Sequence, residues 1–141
     1  DLKHERQNNI EFSLEEMLQF EGTTGPYLQY THARACSILR KSTRNDHSLN
    51  PDGLNDDYSW AILKTLMDFP DVVQRSFHQN EPSQIAKYLI GLSQDFNKYY
   101  SHVKILSDDQ QQESRIALVK VVTTIFREGL RLLGIKAPEE M

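Results

Sequence analysis

Tyr27 and Tyr30 stand three residues apart, Tyr30 and Arg34 four apart, and Lys41 lies seven beyond Arg34. On a helix those intervals bring all four to roughly one face. A second set, Phe96, Asn97, Tyr99 and Tyr100, is compressed into five positions further along the chain. Rings beside cations suit one chemistry in particular. Aromatic faces stack on unstacked RNA bases, at about 1–3 kcal/mol per base, while arginine and lysine hold the phosphates. The same residues also have a plainer use. Phe96 and Tyr99 continue an apolar stripe and belong in a core, and Tyr27 suits packing with its hydroxyl left at the surface. Tyr100 falls off the stripe, next to Asn97 and Lys98, and is the better placed ring for a ligand.

Other chemistries find less support. His32 and Cys36 are spaced to share a metal on one helix face, but zinc takes three or four protein ligands and nothing nearby supplies the rest. His4, His47, His78 and His102 are scattered and read as exposed. There is no Gly-x-Ser-x-Gly elbow, no phosphate loop and no Gly-x-Gly-x-x-Gly. Glu15 and Glu16, and Asp56 and Asp57, stand at helix starts, where carboxylates stabilise unpaired amides and the helix dipole. The expectation for this chain is no catalytic residue, no bound cofactor and no metal.

The elements that would position these side chains read as helices. "FSLEEMLQF" opens with Ser13 three residues before Glu16, a capping-box spacing, and stops near Gly22. A long helix runs from Pro26 to about Thr43, and the turn-rich "NDHSLNPDGLND" follows as the longest loop. Asp57 is placed to cap the next helix, with Trp60, Leu63, Leu66 and Met67 at helical spacing. Pro70 and Pro82 each end one helix and restart another. Ile85, Leu89, Leu92, Phe96 and Tyr99 then form a clean stripe. A last helix from about Ser114 carries Leu118, Val122, Ile125, Gly129 and Leu132, and Gly134 closes it. "LVKVVTTIF" is β-branched enough to suggest a strand, but it lies within an uninterrupted helical stripe. The sum is an all-α bundle of about six helices.

The 141 residues suffice for one domain, and 38% hydrophobic content is that of a folded protein. No stretch has the roughly eighteen apolar residues of a membrane span, and the polar start is unlike a signal peptide. The lone Cys36 fits a reducing, cytoplasmic setting. The first residue is not methionine, which suggests a fragment of a longer protein.

A formal charge of −4 argues against nucleic-acid binding by bulk electrostatics. The charge is segregated, however. Arg34, Arg40, Lys41 and Arg44 occupy the segment from Pro26 to Asn45 with no acidic residue. Arg115, Lys120, Arg127, Arg131 and Lys136 face only Glu128, and acid collects in 11–21, 46–57 and 108–113. If the two basic segments pack together, they form a local patch; otherwise they are solvated helix faces.

"FEGTTGPYLQYTHARACSILRK" resembles the signature of arginyl-tRNA synthetases at the passage from catalytic domain to C-terminal anticodon-binding helical domain, of the DALR type. "FPDVV" and the closing "REGLRLLGIKAPEEM" are similar to the middle and end of that domain. "DLKHERQNNIEFSLEEML" resembles the stretch before it. The resemblance runs from Phe12 to Met141 and implies a division into 1–25, the tail of the catalytic region, and 26–141, the anticodon-binding bundle. The family is class I, with "HIGH" and "KMSKS" type motifs in its ATP site, and neither is present in this chain. The resemblance therefore implies an intact arginine–tRNA ligase that uses ATP with magnesium, while this piece recognises tRNA and is itself inactive.

Residue by residue, the resemblance implies an anticodon-loop surface made of Tyr30, Arg34, Tyr100 and Met141, joined by Lys41 and Asn97. Tyr30 and Tyr100 would stack on splayed bases, Arg34 and Lys41 would hold phosphates, and Met141 would add a soft apolar contact and a terminal carboxylate. The implied partners are the arginine tRNA and the catalytic domain of the same chain, with no DNA and no membrane, in a cytoplasmic monomer. A free-standing protein-interaction module and a bundle enclosing a metal or small cofactor remain as alternatives from the residues alone.

Overall fold

The computed structural model describes residues 9, 11, 13–18, 22–42 and 50–141, and these form helices and turns with no strand among them. In chain order the helices are α1 (Leu14–Met17), α2 (Gly25–Lys41), α3 (Asp57–Met67), α4 (Phe69–Gln79), α5 (Ser83–His102) and α6 (Gln112–Leu132), with a 3-10 turn at Pro51–Gly53 before α3. The expected all-α bundle is what the chain forms, and the β-branched run lies within α6. His4, Arg44 and His47 fall outside the described residues, as do most of the segment 1–12 and part of the acidic loop 46–57.

Local chemistry explains most boundaries. The Ser13 hydroxyl accepts from the Glu16 amide, although α1 ends at Met17, before Gly22. Thr24 caps α2 by accepting from the Tyr27 amide at 3.2 Å, with Pro26 in the first turn, where its missing N–H costs nothing. The cap of α3 is Asp56, not Asp57: its carboxylate accepts from the Ser59 amide at 2.8 Å, and Asp57 becomes the first helical residue. Asn80, with φ of 50°, closes α4 in the left-handed conformation that asparagine tolerates better than most residues.

α2 packs against α6 and α5, α3 lies against both α5 and α6, and α4 covers α5. Leu89, Leu92 and Phe96 from α5 meet Leu118, Val122 and Phe126 from α6, all fully or nearly fully buried, with Ala35, Ile38 and Ile62 completing the core. Tyr99 is wholly buried among them. The stripe expected on α3 is partly turned around. Ile62 is the residue that enters the core, while Trp60 and Met67 face outward at 58% and 78% exposure. An eleven-residue helix with several apolar positions permits more than one rotation, and its contacts with α5 and α6 select this one.

The end of α6 sets the course of the last residues. Gly134 has φ of 71°, its amide donates to the Arg131 carbonyl at 3.0 Å, and the Ile135 amide donates to the Leu130 carbonyl at 2.9 Å. This double closure needs a left-handed residue, which glycine supplies without a Cβ clash. Ile135 then packs against the core and the chain turns back along α2.

Candidate nucleic-acid interface

Tyr30 and Arg34 occupy successive turns of α2, and the Arg34 Nη2 donates to the Tyr30 hydroxyl at 3.0 Å. The guanidinium carbon lies 4.8 Å from the Tyr30 ring centroid, over its face. The Tyr100 ring meets the same guanidinium, also at 4.8 Å. Tyr100 can do so because it is one position beyond Tyr99. A step of about 100° around α5 separates a core residue from a half-exposed one. Asn97, three before Tyr100, faces α2, and its Oδ1 accepts from Arg34 Nη1 at 2.7 Å.

These residues border a cleft of about 670 Å³ between α2, the end of α5, the following turn and the last residues of the chain. Tyr30, Arg34, Lys41, Tyr100 and Met141 all line it. Asn97 lies beneath Arg34 and does not line the cleft. Tyr27 is a packing residue, as one of its two readings has it: it is partly buried against the core and its hydroxyl receives the Asn97 amide.

Two cations of the cleft, Arg40 and Lys104, were not singled out by sequence reasoning. Arg40 stood within the basic stretch of α2, but nothing local distinguished it from a solvated charge. Lys104 follows the end of α5, and only the fold carries it to the cleft. With Arg34 and Lys41 they make four lining cationic side chains against one acidic side chain, Glu140. The cleft is thus locally positive in a protein of net charge −4.

The second basic segment does not contribute in the manner expected. α6 does pack on α2, but Arg115 is buried, donating to the Ile105 carbonyl at 3.1 Å, the Ser107 hydroxyl at 2.7 Å and the Asp109 carboxylate at 2.6 Å. Arg131 pairs with Glu128, and Arg127 lies 3.9 Å from Glu139. A buried cation requires partners, so Arg115 is consumed in shaping residues 105–109. That turn adjoins Lys104, and the charge reaching the cleft comes from Lys104 instead. The Ser107 hydroxyl, followed by Arg115, lowers the pKa of Asp109 to about 2.

The remaining wall is held by α2. Gln29 Nε2 donates to the Lys136 carbonyl at 2.9 Å and Arg40 Nη1 to the Glu139 carbonyl at 2.8 Å. Between them, fully buried His32 meets the Pro138 carbonyl through Nδ1 at 2.8 Å. A carbonyl only accepts, so Nδ1 carries the proton. His32 and Cys36 are in contact, at 3.6 Å from Nε2 to Sγ, but within the core. Burial lowers the His32 pKa and raises that of Cys36. Among the described residues no group of three His, Cys, Asp or Glu side chains is placed to hold a metal.

The residues from 28 to 141 match the DALR anticodon binding domain. The chain belongs to that family. Across its whole length it is 57% identical to the arginine–tRNA ligase 2 of Bacillus anthracis and 56% identical to the arginine–tRNA ligase of Exiguobacterium sibiricum, covering 25% of each. Its fold superposes on the Thermus thermophilus arginyl-tRNA synthetase with a TM-score of 0.89 at 35% identity, over 99% of this chain and 25% of that one. The Plasmodium falciparum arginyl-tRNA synthetase gives the same TM-score at 30% identity, over 100% of this chain and 25% of that one. The chain therefore spans about a quarter of these relatives. The DALR match supports neither a free-standing protein-interaction module nor a cofactor-enclosing bundle.

Proposed function

We propose that this DALR domain is the tRNA-recognising part of an arginine–tRNA ligase, and that the cleft beside Tyr30, Arg34 and Tyr100 receives the anticodon loop. The observation that carries the reading is the guanidinium held over two tyrosine rings at the edge of a positive cleft. Two half-exposed rings offer surfaces to splayed bases, and the four cations offer partners to the phosphates that accompany them. Met141 supplies an apolar contact at the far wall, and Asn97 supports Arg34 from below.

In this reading residues 1–25 are the tail of the catalytic region and 26–141 the anticodon-binding domain. The intact protein joins arginine to its tRNA in the cytoplasm, as a monomer, with ATP and magnesium bound by parts outside this chain. The test is binding of the chain to an arginine tRNA and to the same tRNA with its anticodon replaced, at one fixed moderate salt concentration. Preference for the native anticodon is expected. Equal binding to both would sink the assignment of the cleft to the anticodon loop.

A further inference from the structure

Asn97 uses every hydrogen-bonding group of its side chain inside the protein. Oδ1 accepts from Arg34 at 2.7 Å, and Nδ2 donates to the Tyr27 hydroxyl at 3.0 Å and to Thr31 Oγ1 at 3.2 Å. The orientation of the amide is forced. Arginine has only donors, so it must meet Oδ1; the Thr31 hydroxyl already donates to the Tyr27 carbonyl at 3.0 Å, so its oxygen is left to accept from Nδ2. Both amide protons and the oxygen are thereby committed to α2, on three residues spread over two helical turns.

Arg34 has a flexible stem that would otherwise explore many rotamers. Tyr30 alone, four residues away on the same helix, gives it one hydrogen bond and one ring face. The Asn97 carbonyl adds a charge-assisted bond from a different helix, which ties the guanidinium to α5, the helix that also carries Tyr100. We infer that Asn97 is a positioning residue that acts through Arg34, holding the guanidinium over Tyr30 and Tyr100 before RNA arrives, and that it makes no contact with the RNA itself. This rests on the assignment of the cleft to tRNA and assigns Asn97 a role distinct from that of the lining residues. Fixing Arg34 in advance lowers the ordering cost of binding, so Asn97 contributes affinity without touching the ligand.

The test is a double-mutant cycle on affinity for an arginine tRNA. Asn97→Ala is expected to weaken binding roughly tenfold, the equivalent of one charge-assisted hydrogen bond. In an Arg34→Ala background the same substitution should change nothing further, because the residue through which it acts is gone. A ligand-free readout accompanies it: nuclear magnetic resonance should show slow exchange of the Arg34 guanidinium protons in the parent chain, fast exchange in Asn97→Ala, and slow exchange again in Asn97→Asp, which keeps an acceptor.

If Asn97→Ala weakens binding equally in both backgrounds, Asn97 touches RNA or supports the fold generally, and the inference fails while the cleft assignment stands. If Arg34→Ala leaves binding intact, the cleft assignment fails and takes the inference with it. Guanidinium exchange unchanged in Asn97→Ala, or not slowed again in Asn97→Asp, also overturns it. Asn97→Ser, whose shorter side chain cannot reach Arg34, runs the same cycle should alanine destabilise the fold.

Discussion

The guanidinium carbon of Arg34 lies 4.8 Å from the centre of the Tyr100 ring, joining α2 to α5 at the edge of the positive cleft. In the proposed reading, that contact couples a charge for phosphate to a ring for base stacking. Arg34→Lys keeps the charge but loses the planar fork and its stacking. The expected result is an affinity for arginine tRNA about tenfold lower, with the dependence on salt nearly unchanged, because the number of phosphates neutralised stays the same. Titrations at several salt concentrations measure both, and a markedly shallower slope would contradict it.

Adjacent tyrosines should respond in opposite ways. Tyr100 is 46% exposed, so Tyr100→Ala should leave circular dichroism unchanged and weaken tRNA binding by about 1–3 kcal/mol, the value of one base stack. Tyr99 is fully buried, and its hydroxyl, beside Ser59, makes no hydrogen bond of ordinary geometry. Burial pushes its pKa up to about 12, so it stays neutral. Tyr99→Phe should be neutral or stabilising by up to about 1 kcal/mol in urea denaturation, with tRNA binding unaltered. A clear loss of stability would show that the hydroxyl is satisfied in solution.

His32 should make stability depend on pH. Burial lowers its pKa below the usual value near 6.5, the Pro138 carbonyl opposes this, and Arg127 and Glu139 act in opposite directions. The unfolded chain therefore takes up a proton at higher pH than the folded one. The stability contributed by neutral His32 is complete above the unfolded value, and it declines as pH falls from there through the lower folded value. Urea midpoints measured from pH 7 to 5 should fall, and His32→Gln, which retains a donor but does not titrate, should flatten the decline. Identical profiles for the two proteins would exclude His32 as the source.

Gly53 is pressed against the start of α6. A Cβ placed on it would meet Ser114 Cβ at 2.8 Å and Ser114 Oγ at 2.9 Å, and that hydroxyl already donates to the Asn50 carbonyl at 2.6 Å. Gly53→Ala should cost about 1–3 kcal/mol in stability, the usual range for overpacking. It should leave the salt dependence of tRNA binding unchanged, since the cleft is lined by other residues. A thermal midpoint equal to that of the parent chain would mean that the turn relaxes freely.

How much was legible beforehand follows from the range of each interaction. Ser13, Pro26, Pro70, Pro82 and Gly134 mark helix ends through local effects, a hydroxyl cap, a missing N–H or a left-handed turn, so their spacing alone is informative. Tyr30 and Arg34 are neighbours for the same reason: four residues along a helix is one turn, and their contact follows once the helix forms. The burial of Phe96 and Tyr99, and the exposure of Tyr100, were likewise contained in the periodicity of α5.

Tertiary structure decided the rest. Whether Tyr100 reached Arg34, whether the residues after Gly134 returned to α2, and whether the cations of α6 or Lys104 joined the cleft depended on how helices far apart in sequence pack. Asn97 is an expected site residue, but the geometry in which it holds Arg34, Tyr27 and Thr31 spans α5 and α2. Arg115 shows the limit most plainly. In sequence it is one more cation in a basic stretch, and only a core that encloses it, with acceptors from Ile105, Ser107 and Asp109, removes its charge from the surface. Sequence determined the helices and one face of the cleft, because those arise from contacts within a turn or two. Packing determined which charges line the cleft, because burial and pairing depend on neighbours that no local pattern specifies.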